Sequence, residues 1–157
     1  MKDIKIIIAT HKQHFMPLDD MYLPLHVGKS GKEELGYQGD DTGDNISAKN
    51  PNFCELTGLY WAWKNLPNDY LGLIHYRRFF SVKSRAERKK NHLETLYLTH
   101  EEASHLLSQY DVIVPSKRNY YIETLYSHYA NTLHAEHLDV TREIIAEKCG
   151  EFLGSFD

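Results

Sequence analysis

Cysteine is scarce in this chain: Cys54 and Cys149 are the only two, and neither has a C-x-x-C partner. Nothing therefore suggests a disulfide framework, and a reducing compartment is the expectation. Long apolar runs are missing as well. The amino-terminal MKDIKIIIATHK holds one short apolar stretch, too brief for a signal peptide or a membrane span. A basic excess is absent, since the formal net charge is −4, which argues against a general nucleic-acid binder. The familiar phosphate cradles are missing too. No G-x-G-x-x-G occurs, and the GKS of Gly28–Ser30 would need a glycine where Leu23 stands to complete a P-loop. No D-x-D triplet exists in the chain.

What is present is ordinary in bulk and unusual in detail. With 157 residues, 41% apolar and 25% charged, the chain reads as one globular domain, 1–157. It carries 11 tyrosines and 10 histidines, aromatic groups with polar tips that suit sugars and bases but also fill cores.

Ile4–Ala9 is a β-branched apolar run and reads as a buried strand. Residues 16–50, rich in proline and glycine, read as a long loop. Asn50-Pro51 opens a helix, with Phe53, Leu56, Leu59, Tyr60 and Trp63 at helical spacing. DYLGLIHYRRFF, Asp69–Phe80, supplies a second strand. Ser81–His92 reads as a solvated basic loop. Thr99 and Glu102 form a capping box for a helix to about Gln109. Asp111–Val114 reads as a third strand. Further helices follow around Ile122–Leu133 and from Asp139 to Cys149, before EFLGSFD closes without a recognisable element. Strands alternating with helices imply a mostly parallel, Rossmann-like α/β sheet flanked by helices. Three strands are few for this length, so either the chain is incomplete or a strand or two hide in the loops.

Ligands of parallel α/β sheets bind beyond the carboxyl ends of the strands. There the sequence places Thr10, His11 and Lys12, then His75, Tyr76, Arg77 and Arg78, then Ser116, Lys117 and Arg118. Guanidinium forks and ammonium groups suit the oxygens of a nucleotide diphosphate. Arg77 and Arg78 sit between apolar neighbours, so their burial would demand an anionic partner. Glu55 shares a helix face with Gly58 and Ala62, and is read as that structural partner rather than as a catalytic group. GDDTGDN, Gly39–Asn45, leaves three readings open. Asp40, Asp41, Asp44 and Asn45 could ligate a hard cation, bond ribose or sugar hydroxyls, or simply build a turn. His11-x-x-His14 and His134-x-x-His137 have ligand spacing but no third ligand at a diagnostic distance.

Taken together, ATHK, MPLDDMYLPLHVG, LGYQGDDTGDNISAKNPNFCELTGLYWAWKN, YLGLIHYRRFF, YDVIVPSKRNYYIETLYSHY and EHLD resemble a known family over nearly the whole chain. It is the capsular and exopolysaccharide glycosyltransferase family first catalogued as a domain of unknown function, number 4422. Members of that family are longer, so the resemblance implies the amino-terminal part of such a domain. It also implies a GT-A-like fold and a glycosyltransferase of the hexosyltransferase class. The sugar would move from a nucleotide donor, UDP-galactofuranose or another UDP-hexose, to a glycan of a bacterial capsule, exopolysaccharide or O-antigen. A non-catalytic nucleotide- or glycan-binding module is the alternative.

Donor-binding roles fall on Thr10, His11, Lys12, Asp41, Asp44, Asn45, His75, Tyr76, Arg77, Arg78 and Lys117. Candidate bases are His134, Asp139 and Asp44. The resemblance places His75–Arg78 where many GT-A enzymes carry an acidic metal motif. No cofactor is therefore expected, although a divalent ion, Mn or Mg, stays open. The basic residues Lys83, Arg85, Arg88, Lys89 and Lys90 could rest on anionic lipid, where a lipid-linked acceptor would be presented. Localisation is expected to be cytoplasmic, with contact at the inner membrane face.

Overall fold

A computed structural model describes residues 2–157. The chain forms two compact units, the first ending at Pro115 and the second spanning Ser116–Asp157.

The first unit is built on four strands: β1 (Ile4–Thr10), β2 (Tyr22–His26), β3 (Gln38–Gly39) and β4 (Tyr70–His75). Their order is β3-β2-β1-β4, and every pairing is parallel. The apolar run of β1 is continuous because both of its faces are covered. Ile4, Ile6 and Ile8 pack with Tyr22, Ile74 and Tyr76, under Ala103 and Leu107 of α4 (His100–Leu107). Ile7 and Ala9 pack with Leu25 and Val27, under Trp61 and Ala62 of α2 (Leu56–Asn65).

Several elements differ from the sequence reading. The long loop contains β2 and β3. Pro24 masks β2 in the sequence, yet it pairs with Ile8 at a point where β3 has not begun, so its missing N–H meets no open ladder. The helix expected from Asn50 is two helices, α1 (Asn50–Phe53) and α2, broken at Cys54 with a φ of 47°. The break rotates the buried face. Thr57, Gly58, Trp61 and Ala62 face the sheet, while Phe53, Leu56 and Trp63 are exposed. Gly58 is needed there, because a Cβ would stand 2.7 Å from Val27.

The basic stretch is no loop. Ser84 and Glu87 form a capping box that starts α3 (Arg85–Lys90), a helix exposed along its length. Asp111–Val114 joins no strand ladder, and Val112 and Val114 are exposed.

In the second unit, α5 (Leu125–Thr132) is followed by α6 (Ala135–Lys148) and α7 (Leu153–Phe156). His134 is the cap residue of α6, and Asp139, where the sequence reading starts this helix, lies inside it. EFLGSFD forms a 3₁₀ turn and then α7.

One buried side chain fixes the loop between β3 and α2. The Asp40 carboxylate is fully buried and accepts from Gly28 N at 2.8 Å, Lys29 N at 3.0 Å, Ser47 Oγ at 2.5 Å and Thr57 Oγ1 at 2.6 Å. Gly28 makes this possible, for its φ of +62° and the Asn50 side chain against it leave no room for a Cβ.

Asp40→Ala should destabilise the first unit by about 3–5 kcal/mol in urea unfolding, because buried donors lose their acceptor. Gly58→Val should cost about 1–3 kcal/mol through overpacking against Val27 and Leu25.

Candidate functional site

From β1 the chain moves outward to β2 and β3, then returns to place β4 on the other side of β1. The order reverses between β1 and β4, and a crevice opens beyond the carboxyl ends of strands at such a point. The register sets Ala9 opposite His75, so the residues after both strands meet there.

Thr10 is buried and shapes the first turn: its hydroxyl donates to Lys12 O at 2.5 Å and accepts from Lys12 N at 3.2 Å. It is a structural cap that leaves His11 and Lys12 exposed. At the end of β4, His75 is half-buried, Tyr76 is 2% exposed, and Arg77 and Arg78 are exposed. The two arginines are thus available to an anionic ligand, and the condition under which they would need a buried anionic partner does not arise. The reason is the turn after His75, closed by Arg78 N donating to His75 O at 2.8 Å, which swings them off the sheet. Among the described residues Glu55 forms no ion pair with either arginine, so the structural pairing assigned to it is absent.

His75 is tuned by this setting. Burial holds its imidazole below the ordinary value, and Arg77, Arg78 and His11 push the same way against the opposing pull of Glu55. Its Nδ1 accepts from Arg77 N at 3.3 Å, so the neutral ring carries its proton on Nε2 and can donate there.

Beside His11 lies a cavity of about 390 Å³, lined by His11, Val27, Lys32, Asn50, Cys54 and Glu55. Its wall is the α1–α2 break, where Cys54 adopts the left-handed backbone conformation. Lys32, Asn50 and Cys54 were not foreseen from the sequence. The break falls inside an unbroken helical pattern, and nothing local announces it.

The glycine-rich GDDTGDN behaves mainly as a turn. Asp40 is the buried acceptor already described, and Asp41 is exposed. Asp44 accepts from Tyr60 Oη at 3.1 Å and, through its backbone, bonds Asn65 at the carboxyl end of α2. Asn45 bonds Gly43 O and Ser47 N. Asp44 therefore sits by the end of α2 that leads into the start of β4, whereas the cation-bearing turns follow the strand ends.

Lys117, His134 and Asp139 belong to the second unit. There Tyr126 donates to Asp139 at 3.1 Å, the His134 and His137 rings lie 5.2 Å apart, and Tyr129 Oη lies 3.2 Å from His137 Nδ1. Glu123 Oε1 meets His128 Nδ1 at 2.6 Å, a pair that carried no sequence signal.

The turn after β4 presents cations, and among the described residues no group of three or more His, Cys, Asp or Glu could hold a metal. No helix among the described residues is long and apolar enough to cross a membrane.

The parallel sheet, its switch point and its cation-bearing edge define a GT-A-like, Rossmann-like α/β domain. The chain belongs to the family described as "Domain of unknown function (DUF4422)", whose model matches residues 5–157. It is similar to a solved structure titled as the apo form of WbbM, a bifunctional glycosyltransferase, at 30% identity and a TM-score of 0.75. That match covers 96% of this chain but 30% of the other. No curated protein matches the chain.

A second buried histidine makes the edge sensitive to acid. His26, at the end of β2, is 2% exposed, and its Nδ1 has no partner among the described residues. Burial lowers its pKa from 6.5, Lys32 and Lys29 add to this, and Asp40 and Glu34 oppose it. Above pH 6.5 the folded and unfolded chains both keep the ring neutral. Below it the unfolded chain takes the proton first, so stability falls as pH drops towards the folded value. Thermal unfolding between pH 7.5 and 5.5 should show a midpoint that falls as the pH drops. The slope should be shallower in His26→Gln.

Proposed function

We propose that this chain carries the donor site of a glycosyltransferase. The observation that carries the reading is the meeting of Lys12, His75, Arg77 and Arg78 at the β1–β4 switch point, next to the cavity bordered by His11 and Glu55. The likeness to a bifunctional glycosyltransferase supports it.

In this reading the cavity takes the nucleoside. Glu55 and Asn50 accept from hydroxyl or base N–H groups, and Thr10 holds the His11–Lys12 turn that borders it. The diphosphate lies along Lys12, Arg77 and Arg78, with His75 Nε2–H donating to an oxygen. The acceptor oxygen attacks the anomeric carbon, and the bond to the diphosphate oxygen breaks. The leaving group gains negative charge, and fixed cations stabilise that charge as an oxyanion hole does. The acceptor proton passes to a base.

His134 stays the candidate for that base, as an exposed imidazole. Asp139 and Asp44 are weaker candidates, since each already accepts from a tyrosine hydroxyl. Lys117, Asp41 and Asn45 keep only a supporting role in donor binding. The donor is taken to be a UDP-hexose, with UDP-galactofuranose the first to test, and the acceptor a glycan of the cell surface, assembled at the cytoplasmic membrane face. The exposed α3, with Lys83 before it, would meet anionic lipid there.

The test is turnover of UDP-sugars by the full-length protein. Arg77→Ala should lower kcat/KM by about 10²–10³-fold, the loss typical of one such donor. EDTA should leave the rate unchanged. Loss of activity in EDTA with recovery in Mn²⁺ would overturn the metal-free mechanism. Donor binding without turnover would instead favour a binding module.

A further inference from the structure

The Tyr76 ring stands at the centre of the cationic edge while being almost closed to solvent. The His75 ring lies 4.2 Å away at a 36° tilt, and the rings of His11 and His14 lie edge-on at 5.3 Å and 5.2 Å. Lys12 Nζ lies 5.3 Å and Arg77 Cζ 5.4 Å from the ring centroid. Five basic side chains, three from the end of β1 and two from the end of β4, therefore touch one aromatic ring.

The two permanent cations among them, Lys12 and Arg77, repel one another. An aromatic face attracts them, because its quadrupole is negative above and below the plane. A buried phenyl ring also offers fixed faces and edges, which a flexible aliphatic chain does not. Tyr76 itself packs into the core cluster of Ile4, Ile6, Ile8 and Leu98, so its position is set by the sheet rather than by a ligand.

We infer that Tyr76 is a positioning residue: its ring gathers the basic side chains of two strand ends into a preformed site for a diphosphate. Its burial removes it from the set of residues that touch the donor. The inference rests on reading this edge as a diphosphate site, and it adds the group that assembles that site before any ligand arrives. The ring, not the hydroxyl, does the gathering.

Titration of the full-length protein with inorganic pyrophosphate tests this, with histidine ring resonances followed by NMR. Tyr76→Phe should bind within about threefold of the parent protein. Tyr76→Leu should bind about tenfold more weakly, the scale of one or two lost cation–ring contacts. The ring protons of His11, His14 and His75 should stay in place in Tyr76→Phe and move in Tyr76→Leu as the ring current disappears. A folded Tyr76→Leu with parental affinity and unmoved histidine resonances overturns the proposal, as does a Tyr76→Phe that loses binding. If Tyr76→Leu does not fold, the parent protein decides. Pyrophosphate must then shift all three histidines together, and movement of one or none overturns the proposal. Pyrophosphate binding without turnover of any nucleotide sugar leaves Tyr76 in its role and overturns only the transferase reading. No pyrophosphate binding at all overturns both.

Discussion

A buried carboxylate with four donors organises one side of this molecule. Asp40 takes two backbone N–H groups from the turn after β2, one hydroxyl from the turn at Ser47 and one from α2. A buried charge of this kind is tolerable only when its lone pairs are filled. Each donor is therefore held to a short distance, and so are the segments that carry the donors. The α1–α2 break, the Gly28 turn and the cavity between them keep their places because Asp40 links the segments around them.

On the other side of β1, the constraint is the order of the sheet. Parallel neighbours β1 and β4 end at the same edge, so whatever follows them is delivered to one place. Two short polar turns, Thr10–Lys12 and His75–Arg78, become one cationic surface there. That surface is backed by aromatic rings and bordered by one carboxylate, Glu55, which offsets part of the charge felt by His75. Burial favours the neutral imidazole of His75, whose Nε2–H can donate at this edge. This combination suits a ligand with concentrated negative charge and a neutral, hydroxyl-rich remainder.

Parts of this were legible along the chain. IKIIIAT and YLGLIH are strands because a β-branched or apolar run bounded by polar residues has few alternatives. Thr99 and Glu102 form the capping box that their spacing required. The same spacing in Ser84 and Glu87 signals α3, although the surrounding lysines and arginines give the segment the composition of a solvated loop. β2 was hidden because Pro24 reads as a breaker unless one knows that its neighbour on that side is short. The rotation of α2 was hidden because the helical pattern of Phe53, Leu56 and Trp63 is regular, although those side chains face outward.

The sequence by itself determined the class of sheet, the chemistry available at the strand ends and the absence of an acidic triplet after β4. These follow from residue type and local order alone. Only the tertiary structure decided which of those groups face a ligand and which hold the fold. Asp40 and Asp41 are neighbours in one turn, yet one is sealed under four donors and the other meets water. Tyr76 and Arg77 are also neighbours, yet the first is core and the second is exposed. Burial is set by what packs against a side chain from distant parts of the chain, and neither neighbour's identity records that.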